Sequence, residues 1–189
     1  MTATTALRTP LTDLIARIRV VVDRGLDPAR TATDVARYLK PALLLPELVP
    51  PEALRGSPDG YTQHVLHVEP GGAFSVVALV WLPGQATPVH DHLSWCTVGV
   101  YEGQETETLY RLAGPRGRRQ LVRSGSTVNA RGSVSAIAPP GDIHHVANTG
   151  RVTAVSLHVY GADIGELGSS IRRCYDEAPA EKRRRRTTG

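Results

Sequence analysis

Apolar residues recur at helical spacing near the start of the chain, and from about Tyr61 the pattern changes to the two-residue alternation of strands. Leu11, Leu14, Ile15, Ile18 and Val22 share one helical face behind Thr9-Pro10, a capping hydroxyl followed by a residue preset for the first turn, and Gly25 offers a stop. A second, shorter helix is predicted from a cap at Thr33 or Asp34 to about Leu39, after which Pro41, Pro46, Pro50 and Pro51 impose an irregular connection. Short β-branched runs separated by Gly and Pro then predict strands at 63–69, 74–82, 95–101, 105–112, 120–122, 134–138, 143–147 and 152–160. Ile164, Leu167 and Ile171 predict a closing helix over 164–175. The expected architecture is all-β, a jelly-roll barrel over 60–176 with a helical cover over 1–59 and a tail over 177–189.

A chain of 189 residues, 41% of them hydrophobic, fits one core and therefore one site. No stretch approaches the ~20 apolar residues of a membrane span, and the N-terminus lacks a secretory apolar run, so a cytoplasmic protein without membrane partners is expected. Cys96 and Cys174 are too few for a disulfide framework. The formal charge of +4 resides in 181–189, where Lys182 and four arginines stand against Glu181. The rest of the chain is balanced, which argues against a nucleic-acid face and predicts a solvated, disordered tail on a monomer or small homo-oligomer.

His90 and His92 lie two apart in strand-like sequence, so both rings share one face and Asp91 takes the other. The pair alone is compatible with ordinary surface or core histidines. Its surroundings say more. Gly84, His90, His92, Cys96 and Gly103, followed by Pro139, Gly141, His144 and Asn148, resemble the two motifs of the cupin superfamily, with Cys96 where a glutamate is usual and Gly132 one residue early. That resemblance makes His144 the third metal ligand; its neighbour His145 would face the opposite way.

Three neutral imidazoles leave the charge of a divalent ion intact, which favours an anionic, soft substrate ligand such as a thiolate. On the strand at 152–160, Ser156, His158 and Tyr160 share one face and Val155, Leu157 and Val159 the other. Together with Tyr61-Thr62-Gln63, His90-Asp91-His92 and the His144 segment, this row resembles the cysteine dioxygenase, or thiol dioxygenase, family over about 61–160. The resemblance implies Fe(II) on His90, His92 and His144, and a small thiol and O2 as reactants. It further implies a sulfinic acid as product, Tyr160 near the substrate, His158 orienting Tyr160, and Ser156 orienting His158.

Gln63 stands where animal-type members carry a carboxylate-gripping arginine, and resembles the glutamine-type branch that prefers 3-mercaptopropionate over L-cysteine. Neutral amide donors hold a carboxylate less firmly than an arginine fork. Tyr61 is a second candidate substrate contact. The arginine that such members place on a final helix would fall near Ser169 here, with Arg172 or Arg173 a turn away. Cys96 matches a cysteine that crosslinks to the active-site tyrosine, although a small buried thiol is its commoner role. Another metal-dependent cupin enzyme, or a non-catalytic ligand-binding or sensor cupin, are the competing readings.

Overall fold

The structure, a computed structural model, describes residues 9–116 and 118–176. The predicted basic tail, 177–189, lies outside them. Helix α1, Pro10–Val22, is capped by Thr9 and carries Pro10 in its first turn, as its sequence predicts. Helix α2, Pro28–Ala42, starts earlier than Thr33 or Asp34, because Asp27-Pro28 supplies the same combination of capping side chain and proline. Its Pro41 lies inside the final turn.

Among the described residues ten strands form two antiparallel five-stranded sheets, the double-stranded β-helix of a cupin barrel. The first sheet comprises β1 (Thr62–Val68), β2 (Ser75–Trp81), β4 (Cys96–Glu102), β7 (Val134–Ile137) and β9 (Ala154–Tyr160), in the order β1-β2-β9-β4-β7. The second comprises β3 (Val89–His92), β5 (Gln104–Ala113), β6 (Gln120–Ala130), β8 (His144–Ala147) and β10 (Ile171–Tyr175), in the order β10-β3-β8-β5-β6. Strand β7 keeps unbroken register with β4, so the early Gly132, at φ 83°, shifts the strand's start without adding a bulge. Strand β6 runs far beyond the predicted 120–122 because it pairs with β5 along its whole length while remaining mostly exposed, which leaves no apolar alternation to read.

The predicted closing helix is corrected. Only Ile164–Leu167 is helical, as α3, and it ends at Gly168 with φ 72°. Residues Ile171–Tyr175 pair with β3 instead, so the hydrogen-bonding edge of that strand overrides a helical spacing spread over only three apolar residues.

Strands β2 and β9 are buried on both faces. Outward, Val76, Ala78, Val80, Val155, Leu157 and Val159 join one core with α1 and α2. Helix α2 lies close over β4 because Gly99 has no Cβ, which would stand 2.7 Å from Leu43 Cδ1 and 2.9 Å from Leu39 Cδ2. Inward, Val77, Leu79, Trp81, Cys96 and Tyr160 belong to a second core inside the barrel. The helices thus take the apolar face of β9 and leave Ser156, His158 and Tyr160 pointing into the barrel, with no solvated side for them to face. No helix among the described residues is long and apolar enough to cross a membrane.

Candidate functional site

The ladder brings the histidines together. His90 and His144 are directly opposed on β3 and β8, and His92, two residues along β3, shares their face. All three are buried, and one ring nitrogen of each lies within 4.8 Å of the others. His144 is therefore the member of the 144–145 pair that the structure brings to the cluster. Each Nδ1 is held by an oxygen: His90 by the carbonyl of Pro88 at 2.9 Å, His92 by Asp142 at 2.9 Å and His144 by Glu107 at 2.7 Å. These acceptors place the ring proton on Nδ1 and leave Nε2 bare. The Nε2 atoms of His90 and His144 then face each other at 3.2 Å, lone pair to lone pair, an arrangement that suits a shared cation. Burial, followed by the charges of His144 and His92, pushes His90 down to about 3, so it stands ready as a neutral ligand. Burial raises the carboxyls of Asp142 and Glu107, but hydrogen bonds from His92 and His144 respectively outweigh it and hold both below the usual carboxylate range.

The facing wall is β9. Tyr160 Oη lies 2.9 Å from His158 Nδ1, His158 Nε2 lies 2.9 Å from Ser156 Oγ, and the Trp81 indole N–H donates to Ser156 Oγ at 3.1 Å. The predicted row is thus a continuous buried hydrogen-bonded chain. Burial, reinforced by the three cluster histidines, pushes His158 down to about 3. Burial also drives the Tyr160 phenol well above its ordinary value.

Between the walls lies a cavity of about 30 Å³, lined by all three cluster histidines, His158, Tyr160, Tyr61, Gln63, Ser169 and Ser170 among others. It has room for two or three water-sized groups at roughly 10–15 Å³ each. Tyr61 stacks on Trp81 with ring centroids 4.6 Å apart. Gln63, exposed at the rim, donates to the carbonyl of Gly168 at 3.5 Å, which ties β1 to the turn before β10. No arginine or lysine is among the described residues that line the cavity. Arg172 and Arg173, the arginines a turn beyond Ser169, do not line it: Arg172 makes a two-pronged ion pair with Asp91, and Arg173 lies over the ring of Tyr175. Arg173 stands opposite Asp91 in the ladder, and the register shift between Ile171 and Arg173 takes Arg172 out of the strict alternation, so it too turns to Asp91, on the face of β3 opposite the histidines. Cys96 is fully buried and directly opposite Tyr160 in the β4–β9 ladder. Burial raises its thiol well above the ordinary value.

Pro88, Glu107, Asp142 and Trp81 were not singled out from sequence. Asp142 carried a faint signal, a carboxylate two residues before His144, while Glu107 is an acid among apolar and hydroxyl residues of a β-strand.

Residues 55–168 match the family model described as cysteine dioxygenase type I. Among curated proteins the chain is similar to cysteine dioxygenase type 1 from Danio rerio, with 29% identity over 102 residues, 53% of this chain and 50% of that protein. The chain thus spans about half the length of that relative. Similar solved structures include the TT1209 protein from Thermus thermophilus, at 23% identity and a TM-score of 0.43 over 59% of this chain and 91% of that one. Recombinant oxalate oxidase in complex with glycolate is similar at 23% identity and a TM-score of 0.43 over 57% of this chain and 53% of that one. With a family match that extends over more than half of its residues, the chain belongs to the cysteine dioxygenase type I family.

Proposed function

We propose that this protein is a non-haem iron thiol dioxygenase, which converts a small thiol and O2 to the sulfinic acid. The observation that carries the reading is the pairing of three converging bare imidazole nitrogens with the Ser156–His158–Tyr160 chain across one small cavity. His90, His92 and His144 would hold the metal, which supplies, when bound, a redox centre with open positions for a thiolate and dioxygen. Glu107, Asp142 and the Pro88 carbonyl fix the three rings in the ligand tautomer. Tyr160 lines the cavity, and His158 and Ser156 hold its phenol in place. The barrel interior excludes bulk water, which strengthens every one of these polar contacts.

The cavity's size restricts the substrate to a few heavy atoms beyond sulfur. Its far end meets neutral groups, Tyr61, Gln63, Ser169 and Ser170, so a carboxylate gains less here than from an arginine fork. Among carboxylate-bearing thiols, 3-mercaptopropionate and L-cysteine are the candidates, and cysteamine, which lacks the carboxylate, is the informative comparison. Oxygen uptake by Fe(II)-loaded protein, with sulfinate identified by mass, tests the reading. The expected outcome is sulfinate from at least one of these thiols, kcat/KM for cysteamine within about tenfold of the best carboxylate substrate, loss of iron and activity in His144→Ala, and retention of both in His145→Ala. Full iron loading with no oxygen uptake for any thiol would point to another metal-dependent cupin reaction or to a binding domain.

A further inference from the structure

Glu105 is a third acidic side chain inside the barrel, and unlike Asp142 and Glu107 it holds no cluster histidine. It is 2% exposed, and its Oε1 has no hydrogen-bond partner among the described residues. Glu105 and Glu107 lie two apart on β5 and share its inward face. The Glu105 carboxyl lies near the inner end of the β9 chain, where the Ser156 hydroxyl and the Trp81 indole N–H, bonded to each other, both favour its charged form. The charged or titratable groups that bear on it are Glu107 from its own strand and Tyr160 from β9; no cation is among them.

Extended from Ser156 to Glu105, the Tyr160–His158–Ser156 chain would have two complete proton arrangements. With Glu105 ionised, the Ser156 hydroxyl donates to it, His158 Nε2–H donates to Ser156 Oγ, and Tyr160 O–H donates to His158 Nδ1. With Glu105 protonated, its O–H donates to Ser156 Oγ, the Ser156 hydroxyl donates to His158 Nε2, and His158 Nδ1–H donates to the Tyr160 oxygen. The Tyr160 proton then points into the cavity. Ser156 Oγ accepts twice and donates once in both arrangements, counting the Trp81 bond, so neither leaves a buried donor stranded. The two differ by one proton. Passing from the first to the second moves a proton from the cavity to Tyr160, from Tyr160 to Nδ1, from Nε2 to Ser156, and from Ser156 to Glu105.

Resting on the thiol dioxygenase reading, we propose that Glu105 is the terminal proton acceptor of this chain and takes the proton that the substrate thiol gives up on binding. The S–H bond breaks, an O–H bond forms on Glu105, and no electron changes hands. Free thiols are mostly protonated near neutrality, so binding as a thiolate inside a closed cavity requires such a destination. Burial foremost, with the charge of Glu107 added and against the pull of Ser156 and Trp81, pushes Glu105 up to about 7, which suits reversible proton uptake. His158, held neutral, passes a proton along without retaining a charge.

Proton release to a weakly buffered medium, read with an indicator dye on anaerobic mixing of the Fe(II)-loaded protein with 3-mercaptopropionate, L-cysteine or cysteamine at pH 7.5, tests this. The wild type is expected to release well under one proton per thiol bound. Glu105→Gln, which keeps the shape but cannot take the proton, and Ser156→Ala, which breaks the path, are each expected to release about one. In metal-free protein, ring ¹⁵N shifts should show His158 changing tautomer near pH 7 in the wild type and remaining in one tautomer in Glu105→Gln. Equal proton release by the wild type and both variants, with thiol bound, would overturn the role of Glu105 and leave the dioxygenase reading standing. Failure of every thiol to bind the wild type would overturn that reading, and this proposal with it.

Discussion

On the β3–β8 wall of the cavity each imidazole has Nδ1 tied to an oxygen and Nε2 bare, whereas on the β9 wall His158 has both nitrogens tied to hydroxyls. Both walls bury their rings almost completely. What differs is the partner. A carboxylate or carbonyl accepts only, so it dictates which nitrogen carries the proton, and the other is left as a ligand. A hydroxyl both donates and accepts, so a ring between two hydroxyls keeps its choice of tautomer and can conduct. One side chain, under the same burial, is thus suited to hold a metal on one wall and to pass a proton on the other.

The sharpest way to break this comparison is to alter one wall and measure the function of the other. Tyr160→Phe keeps the ring and removes the link to the cavity; kcat is expected to fall by ~10²–10⁴-fold, the usual range for a lost proton-handling group. Metal content, measured by elemental analysis, should not change. Glu107→Gln disturbs the other wall: loss of such a ring-orienting carboxylate typically weakens metal binding ~10–100-fold. Titration of metal-free protein should show that weakening, with much of kcat recovered at saturating metal.

The smallest effect concerns stability in acid. His90 and His158 both sit at about 3 in the folded chain, against an ordinary 6.5. Their folded-state values are depressed, so the unfolded chain binds their protons first, and stability present above about 6.5 is lost as pH falls toward 3. Glu105 works in the opposite sense, since its folded value of about 7 lies above the ordinary 4.5, and its contribution is lost as pH rises through 7. Urea unfolding of metal-free Glu105→Gln, which removes that opposing group, should therefore show stability falling from pH 6.5 to 5. Saturating metal should remove the part of the loss due to His90, which cannot be protonated while coordinated, and leave the part due to His158. If metal abolished the whole loss, the two walls would not be distinct.

Much of this site was legible in the chain because strand periodicity is strict. Two-residue spacing placed His90 with His92, and Ser156 with His158 and Tyr160, on common faces, and one-residue spacing separated His144 from His145. The residues that complete the chemistry were not legible, since they arrive from distant sequence: Asp142 lies 50 positions from His92, and Glu107 lies 37 from His144. Their meeting depends on the strand order of the second sheet, which no local pattern encodes. The helix expected over 164–175 stops at Leu167, and Ile171–Tyr175 departs from it for the same reason, because its partner, β3, is 80 residues or so upstream and local spacing was the only visible signal. Arg172 followed it, bonded to Asp91 on the outer face instead of entering the cavity. At α2 the error was local: Asp27-Pro28 is a cap signal equal to Thr9-Pro10 and lies upstream of the one chosen.

Of the three oxygens that fix the cluster rings, the one on His90 belongs to the backbone of Pro88 and not to a side chain. A codon change can delete the carboxylates of Glu107 or Asp142, but no substitution deletes a carbonyl. Two ring orientations are therefore exposed to genetic drift while the third is inherited with the main chain, so in random-mutagenesis libraries loss-of-metal variants of ring orientation should accumulate at 107 and 142 and be sparse at 88.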